Sequence, residues 1–201
     1  DRTLLAAVFG DQAIISTAAD GAQSVHAVDV DGDGDIDVLS ASELDDKIAW
    51  YENDGSESFT PHTITTAANS ATSVVAADVD GDGNIDVLSA SYLDSKIAWY
   101  ENDGNATFAL PHTITTDADG AGSVFAADVD GDGDMDVLSA SKFDNKIAWY
   151  ENNGNKSFTP HTISSDLNLN NAFSVFAADV DGDGNTDVLS ASQLGDNIAW
   201  Y

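Results

Sequence analysis

Residues Ala77 to Ser91 read ADVDGDGNIDVLSAS, and close copies of this stretch begin at Val28, Ala127 and Ala178. Each copy joins an acidic, glycine-bearing loop to a short run of β-branched and small residues, the composition of a turn feeding a strand. Outward from it, IAW recurs with its tryptophan at Trp50, Trp99, Trp149 and Trp200, spaced by 49, 50 and 51 residues. HTI recurs at His62, His112 and His161. Four repeats, approximately 1–51, 52–100, 101–150 and 151–201, account for nearly the whole chain as a single domain.

Following one copy along the chain, the strand signals fall at Ser73–Asp78, Ile85–Ser91, Lys96–Tyr100 and Phe108–Thr115, with Gly, Asp and Asn between them. No window carries a convincing helical period. A period near 50 residues holding four strands is the signature of a propeller blade. The expected fold is therefore all-β, a β-propeller of four four-stranded blades. The chain opens out of phase: Phe9 aligns with Phe59 and Ile14 with Ile64, so a fourth-strand copy comes first, and the chain stops on a third strand at Tyr201. The expectation is that this N-terminal strand completes the last blade and closes the ring, burying Leu4 to Phe9. A strand given by a neighbouring copy, building an oligomer or a filament, is the alternative.

The acidic loops have one pattern, D-x-D-x-D-G-x-x-D. It stands at Asp29, Asp31, Asp33 and Asp37, and at Asp78, Asp80, Asp82 and Asp86. It recurs at Asp128, Asp130, Asp132 and Asp136, and at Asp179, Asp181, Asp183 and Asp187. Calcium takes six to eight hard oxygen ligands in flexible geometry. Carboxylates at positions 1, 3 and 5 turn inward as the chain curls, and glycine at position 6 permits the sharp turn. Position 7 offers its backbone carbonyl, so its side chain varies: Asp35, Asn84, Asp134 and Asn185. Position 9 closes the site with another carboxylate. A metal-free hairpin has no use for four acids in nine residues, because they repel one another, whereas a bound cation turns that repulsion into attraction. Magnesium prefers fewer protein ligands in a rigid octahedron. The reading is about four calcium ions, one per repeat.

DVDGDGNIDVLSAS followed by KIAWYEN resembles the FG-GAP/VCBS-like repeat family. The likeness covers essentially the whole chain. It implies calcium-binding propeller blades of the kind found in integrin α-chains and in bacterial surface and secreted proteins. The literal Phe-Gly survives only at Phe9-Gly10, and Ser-Ala-Ser replaces Gly-Ala-Pro. Many members have seven blades; this chain supplies four. The resemblance implies an extracellular location.

Thirty-six acidic residues against six basic ones give a formal charge of −30, which excludes a nucleic-acid partner because phosphate would be repelled. No apolar run approaches the roughly 20 residues of a membrane span, so no membrane insertion is expected. There is no cysteine. No nucleophile elbow, phosphate loop or isolated His-Asp-Ser set is present, so the chain reads as a module and not an enzyme. The tryptophans read as packing between blades, with sugar stacking as the alternative. The histidines after proline read as structural. Asn105 and Asn155 head glycosylation sequons at equivalent places in two repeats. Specificity is expected where the copies differ, in the loops joining fourth to first strands and at Glu43, Tyr92, Lys142 and Gln193, on the face opposite the metal loops. The function expected is an adhesion, structural or assembly module that meets a protein or polysaccharide surface, or other copies of itself. The alternative is a carbohydrate-binding module of a polysaccharide-processing protein.

Overall fold

The computed structural model describes residues 10–166 and 170–201. The expectation for Leu4 to Phe9 lies outside the described residues, as do Leu167 and Leu169 of the last variable loop. The described residues contain no helix. They form four antiparallel sheets in chain order. The first holds β1 (Ala22–Val28), β2 (Asp37–Ser42), β3 (Lys47–Asn53) and β4 (Phe59–Thr65). The second holds β5 (Ala71–Ala77), β6 (Asp86–Ser91), β7 (Lys96–Tyr100) and β8 (His112–Thr115). The third holds β9 (Ala121–Ala127), β10 (Asp136–Ser141), β11 (Lys146–Asn152) and β12 (Phe158–Ser164). The fourth holds β13 (Ala172–Ala178), β14 (Asp187–Ser192) and β15 (Asn197–Trp200).

β8 is shorter than its counterparts for a reason visible in the residues. The outer strand of the second sheet reads FALPHTIT where that of the first reads FTPHTIT, one residue more. The extra residue breaks the pairing between an isolated bridge, Asn102 to Phe108, and the strand proper, and Leu110 points into solvent. The central strands alternate toward two buried sides. In each DVLSAS the middle serine meets the tyrosine hydroxyl of the next strand, as Ser89 meets Tyr100 at 3.3 Å and Ser139 meets Tyr150 at 3.2 Å. These bonds satisfy hydroxyls that burial would otherwise leave unpaired.

The core lies between sheets. Leu88, Ile97 and Trp99 of the second sheet pack on Val124, Val137 and Tyr150 of the third. The same repeat positions fill the junctions on either side. Each such large side chain contributes about 1.5–3 kcal/mol on burial. Trp99 is fully buried, which makes it a packing residue and removes it as a sugar platform. Inner strands also touch directly: Val124 N–H donates to Ser73 Oγ at 3.3 Å.

The expected completion of the last blade is not present among the described residues. The fourth sheet has three strands, and residues 10–21 form none. Nor do the four sheets close on themselves: Val25 at one end is 72% exposed and Ile198 at the other 82%. The reason is geometric. Equivalent side chains fill each junction, so each sheet-to-sheet step is alike, and three such steps leave the first and last faces apart.

Candidate metal centre

Each acidic loop joins the first and second strands of its sheet, and its own backbone shapes it. In the first repeat, Asp29 accepts from the N–H groups of Gly32 at 2.8 Å and Gly34 at 3.0 Å. Asp33 accepts from Asp35 N–H at 2.8 Å. Asp78 and Asp128 take the equivalent bonds from Gly81 and Gly83 and from Gly131 and Gly133, and Asp179 from Gly182 and Gly184. A carboxylate has about four lone-pair directions, so two such bonds fix its plane and leave directions for a cation.

Three carboxylates converge in each loop. Their ligand oxygens lie within 4.8 Å of one another in Asp29, Asp31 and Asp33; in Asp78, Asp80 and Asp86; in Asp128, Asp130 and Asp136; and in Asp179, Asp181 and Asp187. Oxygens on opposite sides of a calcium ion, at about 2.3–2.6 Å each, stand up to about 5 Å apart, so the donor sets fit that ion. Asp82, Asp132 and Asp183 stand outside these sets and accept from the N–H two residues on. The position-7 side chains turn away from the cluster. Asp35 lies against Gly55, and Asn84 against Gly104, in the turn between third and fourth strands. Gly55 has φ +71°, and a Cβ there would come within 2.4 Å of Asp35 Oδ2. The turn therefore needs glycine on two counts.

Position 9 acts as a clamp. Asp86 is buried and accepts from Val79 N–H at 3.1 Å and Asn102 N–H at 2.8 Å. Burial pushes its carboxyl up to about 6, against the pull of those N–H groups. Burial also raises Asp136. Asp187, at the open end of the array, is instead held low by the N–H of Val180. Asp37 makes the equivalent bonds to Val30 and Asn53 N–H.

One residue type escaped the sequence reading. Asn102 and Asn152 are buried and tie two loops together. Asn102 Nδ2 donates to Ile85 of its own loop at 3.0 Å and to Val30 of the preceding loop at 3.1 Å. Asn152 does the same with Met135 and Val79. The signal was the asparagine ending each YEN, which reads as an ordinary strand exit. A second link crosses between repeats: Lys156 pairs with Asp80 at 2.9 Å and Glu101 at 2.8 Å.

The remaining candidates fall as follows. His62 stacks on Trp50 at 4.4 Å between ring centres and bonds Glu52 at 2.8 Å, a structural use that His161 repeats with Trp149 and Glu151. Asn105 and Asn155 are exposed in turns. Three of the four variable residues converge: Glu43, Tyr92 and Lys142 line one cavity of about 340 Å³ with Phe173, Gln23 and Thr72, whereas Gln193 does not line it and instead accepts from Asn171 Nδ2 at 3.0 Å. Lys142 Nζ lies 4.7 Å from the Tyr92 ring centre and 4.8 Å from that of Phe173. Burial lowers its pKa, while Glu43 raises it. The cavity lies on the face opposite the acidic loops, because the variable loop and the turn after β2 are bonded together there, as in Tyr92 N–H to Ser70 O at 3.0 Å. Among the described residues, no helix is long and apolar enough to cross a membrane.

No curated protein matches the chain. Among solved structures, a lectin of Agrocybe aegerita, titled for specific recognition of non-reducing terminal N-acetylglucosamine, is similar in fold. Its TM-score is 0.57 at 18% identity, over 84% of this chain and 47% of that one. The chain thus spans about half the length of the structure it matches. The model of the FG-GAP-like repeat matches three times, over residues 29–89, 78–139 and 128–190, each match running from one acidic loop through the next. The repeated sheets and their acidic loops are those of that model, and the chain belongs to the FG-GAP-like repeat family.

Proposed function

We propose that the chain is a calcium-stiffened sector of a β-propeller and serves as an extracellular binding or assembly module. The observation that carries this reading is the convergence of three carboxylates in the acidic loop of every repeat, from positions 1, 3 and 5 in the first and 1, 3 and 9 in the others. Calcium neutralises acids that otherwise repel within each loop. It also ties a loop to the sheets on both sides, since Asp86 and Asn102 link the second loop to its own third strand and to the first loop. The chain works by presenting the rigid face opposite the metals, without catalysis.

Calcium binding at about 10⁻⁵ to 10⁻³ M is expected, the range of weak sensors and extracellular modules. At tenfold excess over Kd, each site adds about 1.4 kcal/mol to stability. Calorimetric titration should count four ions, and chelation should lower the unfolding midpoint by many degrees. An unchanged midpoint refutes the metal reading.

A second reading takes a carbohydrate as the ligand. The cavity shared by Glu43, Tyr92, Lys142 and Phe173 favours it, because aromatic faces stack on sugars and the charged groups reach hydroxyls. The similarity to a lectin is in accord with it. A glycan array read with the native chain and with Tyr92→Ala separates the two: binding lost in the variant supports a sugar site, and no binding at all leaves the assembly role.

A further inference from the structure

The turn between third and fourth strands reaches back across its junction to the acidic loop of the preceding sheet, carrying an alanine in the second sheet and a lysine in the third. Asn102 and Asn152 tie these two turns to the carbonyls of Val30 and Val79 in the loops before them, at 3.1 and 2.7 Å. Both turns close alike: Asp103 N–H donates to Thr107 O at 3.1 Å and Asn153 N–H to Ser157 O at 3.0 Å. Ala106 and Lys156 hold the same place in them, both left-handed, with φ of 53° and 59°. Their Cβ atoms therefore leave the backbone in the same direction, toward equivalent walls.

Between the second and third sheets the lysine fills the groove. Its ammonium lies 2.9 Å from Asp80 and 2.8 Å from Glu101, and 5.7 Å from the centre of the Trp99 ring. Two carboxylates and an aromatic face are a matched setting for one ammonium, since each ion-pair hydrogen bond is charge-assisted and the ring attracts the cation.

Between the first and second sheets the same walls stand without that cation. Asp31 and Glu52 are the counterparts of Asp80 and Glu101, and Trp50 and His62 those of Trp99 and His112. With Ala106 and Thr107 they line an open groove of about 560 Å³. Glu52 keeps His62 as its partner at 2.8 Å. Among the described residues no lysine reaches either carboxylate. Lys47, Lys96 and Lys146 pair with Asp45, Asp94 and Asp144 in their own turns, and Lys142 lies against Tyr92 on the opposite face. Alanine stops at Cβ where lysine runs on to an ammonium, so this groove lacks what its twin contains.

We infer that this groove is a receptor site for a lysine side chain of a partner protein, whose ammonium takes the place beside Asp31, Glu52 and the Trp50 ring that Lys156 takes in the next groove. The occupant is an ammonium because the chain itself supplies one to the same walls. It is a protein's lysine and not a free amine because the formal charge of −30 draws in a basic surface as a whole and holds it there. Asp31 also belongs to the first carboxylate set, so the ammonium and a metal ion would share it. The site goes beyond the calcium and carbohydrate readings and rests on neither.

The test is an amide chemical-shift titration of the 201-residue chain at low salt, run once with calcium and once with a chelator. The probe is a capped Gly-Lys-Gly-Lys-Gly peptide, used at millimolar concentration because exposed ion pairs are individually weak. The expected result is saturable shifts at Glu52, Ala106 and Thr107 in at least one of the two buffers, and none from the same peptide acetylated on its lysines. Ala106→Lys supplies the ammonium from within, at a turn whose twin already carries lysine, and should abolish those shifts while the rest of the spectrum stays in place. Lys156→Ala empties the second groove and should add a new set at Glu101 and Ser157, which keeps the test open should the first variant misfold. n-Butylamine should bind about tenfold more weakly than the peptide, since it lacks the second charge. No saturable shift in either buffer overturns the inference. So does binding that survives Ala106→Lys in a folded chain, a Lys156→Ala chain with no second set, or butylamine that binds as tightly as the peptide. Calcium-induced shifts in the acidic loops are read in the same spectra: their absence refutes the metal reading and leaves the ammonium site standing on its own titration.

Discussion

At the scale of single residues, the loops show how a carboxylate or an amide gains its role from what surrounds it. Asn53 and Asn102 hold the same repeat position, yet only Asn102 has a preceding loop to reach. Asn102→Ala should cost about 1–3 kcal/mol, because two buried carbonyls lose their donor. Asn53→Ala should cost less than half as much, by urea unfolding of both variants; equal costs would show that the link between loops carries no stability. Lys156 sits on Asp80, a member of the second carboxylate set. A cation must displace that ammonium or share its carboxylate, so Lys156→Met should tighten calcium at that loop several-fold in a titration. A weaker site in the variant would mean the lysine orders the loop. His26 stands where the later repeats have Val75, Phe125 and Phe176, and its half-buried ring has a pKa below 6.5 because burial disfavours the charged form. The unfolded chain then binds the proton more readily than the native one. Stability should fall as pH drops below about 6.5 and level off below the lowered native value. His26→Val should flatten that part of the midpoint-against-pH curve; an identical curve would assign the acid sensitivity to other groups.

At the scale of elements, the outer strand is the variable part of each sheet and the two central strands are fixed by burial. β6 and β10 are buried at every position, so their register has no freedom, since a slip of one residue would exchange their two core faces. The fourth strand pairs on one side only and tolerates insertion, as Leu110 shows. Deleting Leu110 restores the pattern of Phe59–Thr65, and β8 should lengthen toward Phe108. Hydrogen exchange should then find added amide protection between Phe108 and His112, with stability unchanged or raised by under about 1 kcal/mol. Unaltered exchange would mean that the extra residue is not what shortens the strand. The turns at Gly55 and Gly104 couple this outer edge to the acidic loops through Asp35 and Asn84, which links an exposed hairpin to the carboxylate clusters.

At the scale of the molecule, position in the array decides what a residue is worth. Ile97 and Ile198 occupy one repeat position, the first fully buried between sheets and the second in solvent. Ile97→Ala should destabilise by about 2–5 kcal/mol through lost burial and a cavity. Ile198→Ala should leave the monomer within about 0.5 kcal/mol of the native chain. Equal large costs in the dilute monomer would show that the last face is already covered by part of the same chain. Such nearest-neighbour energetics are those of a repeat array, in which each unit is stable by virtue of the units beside it.

The repeat length, the strand content and the acidic loops were legible in the residues because each is local: a strand's alternation, a turn's glycines and nine residues of ligand spacing are set within one repeat. The third strand of the second repeat was placed at Lys96–Tyr100, where it lies, and the loops formed where the aspartates predicted them. The bridging role of Asn102 was not legible, because its acceptor on Val30 is seventy-two residues away and nothing in YEN marks the contact. Ring closure, expected from the residues, is not seen among the described residues, for a related reason. Whether the sheets close into a ring depends on the angle between neighbouring sheets, which no single repeat states. That angle is set by how Ile97, Trp99, Val124 and Tyr150 interlock, and only the packed tertiary structure decides it.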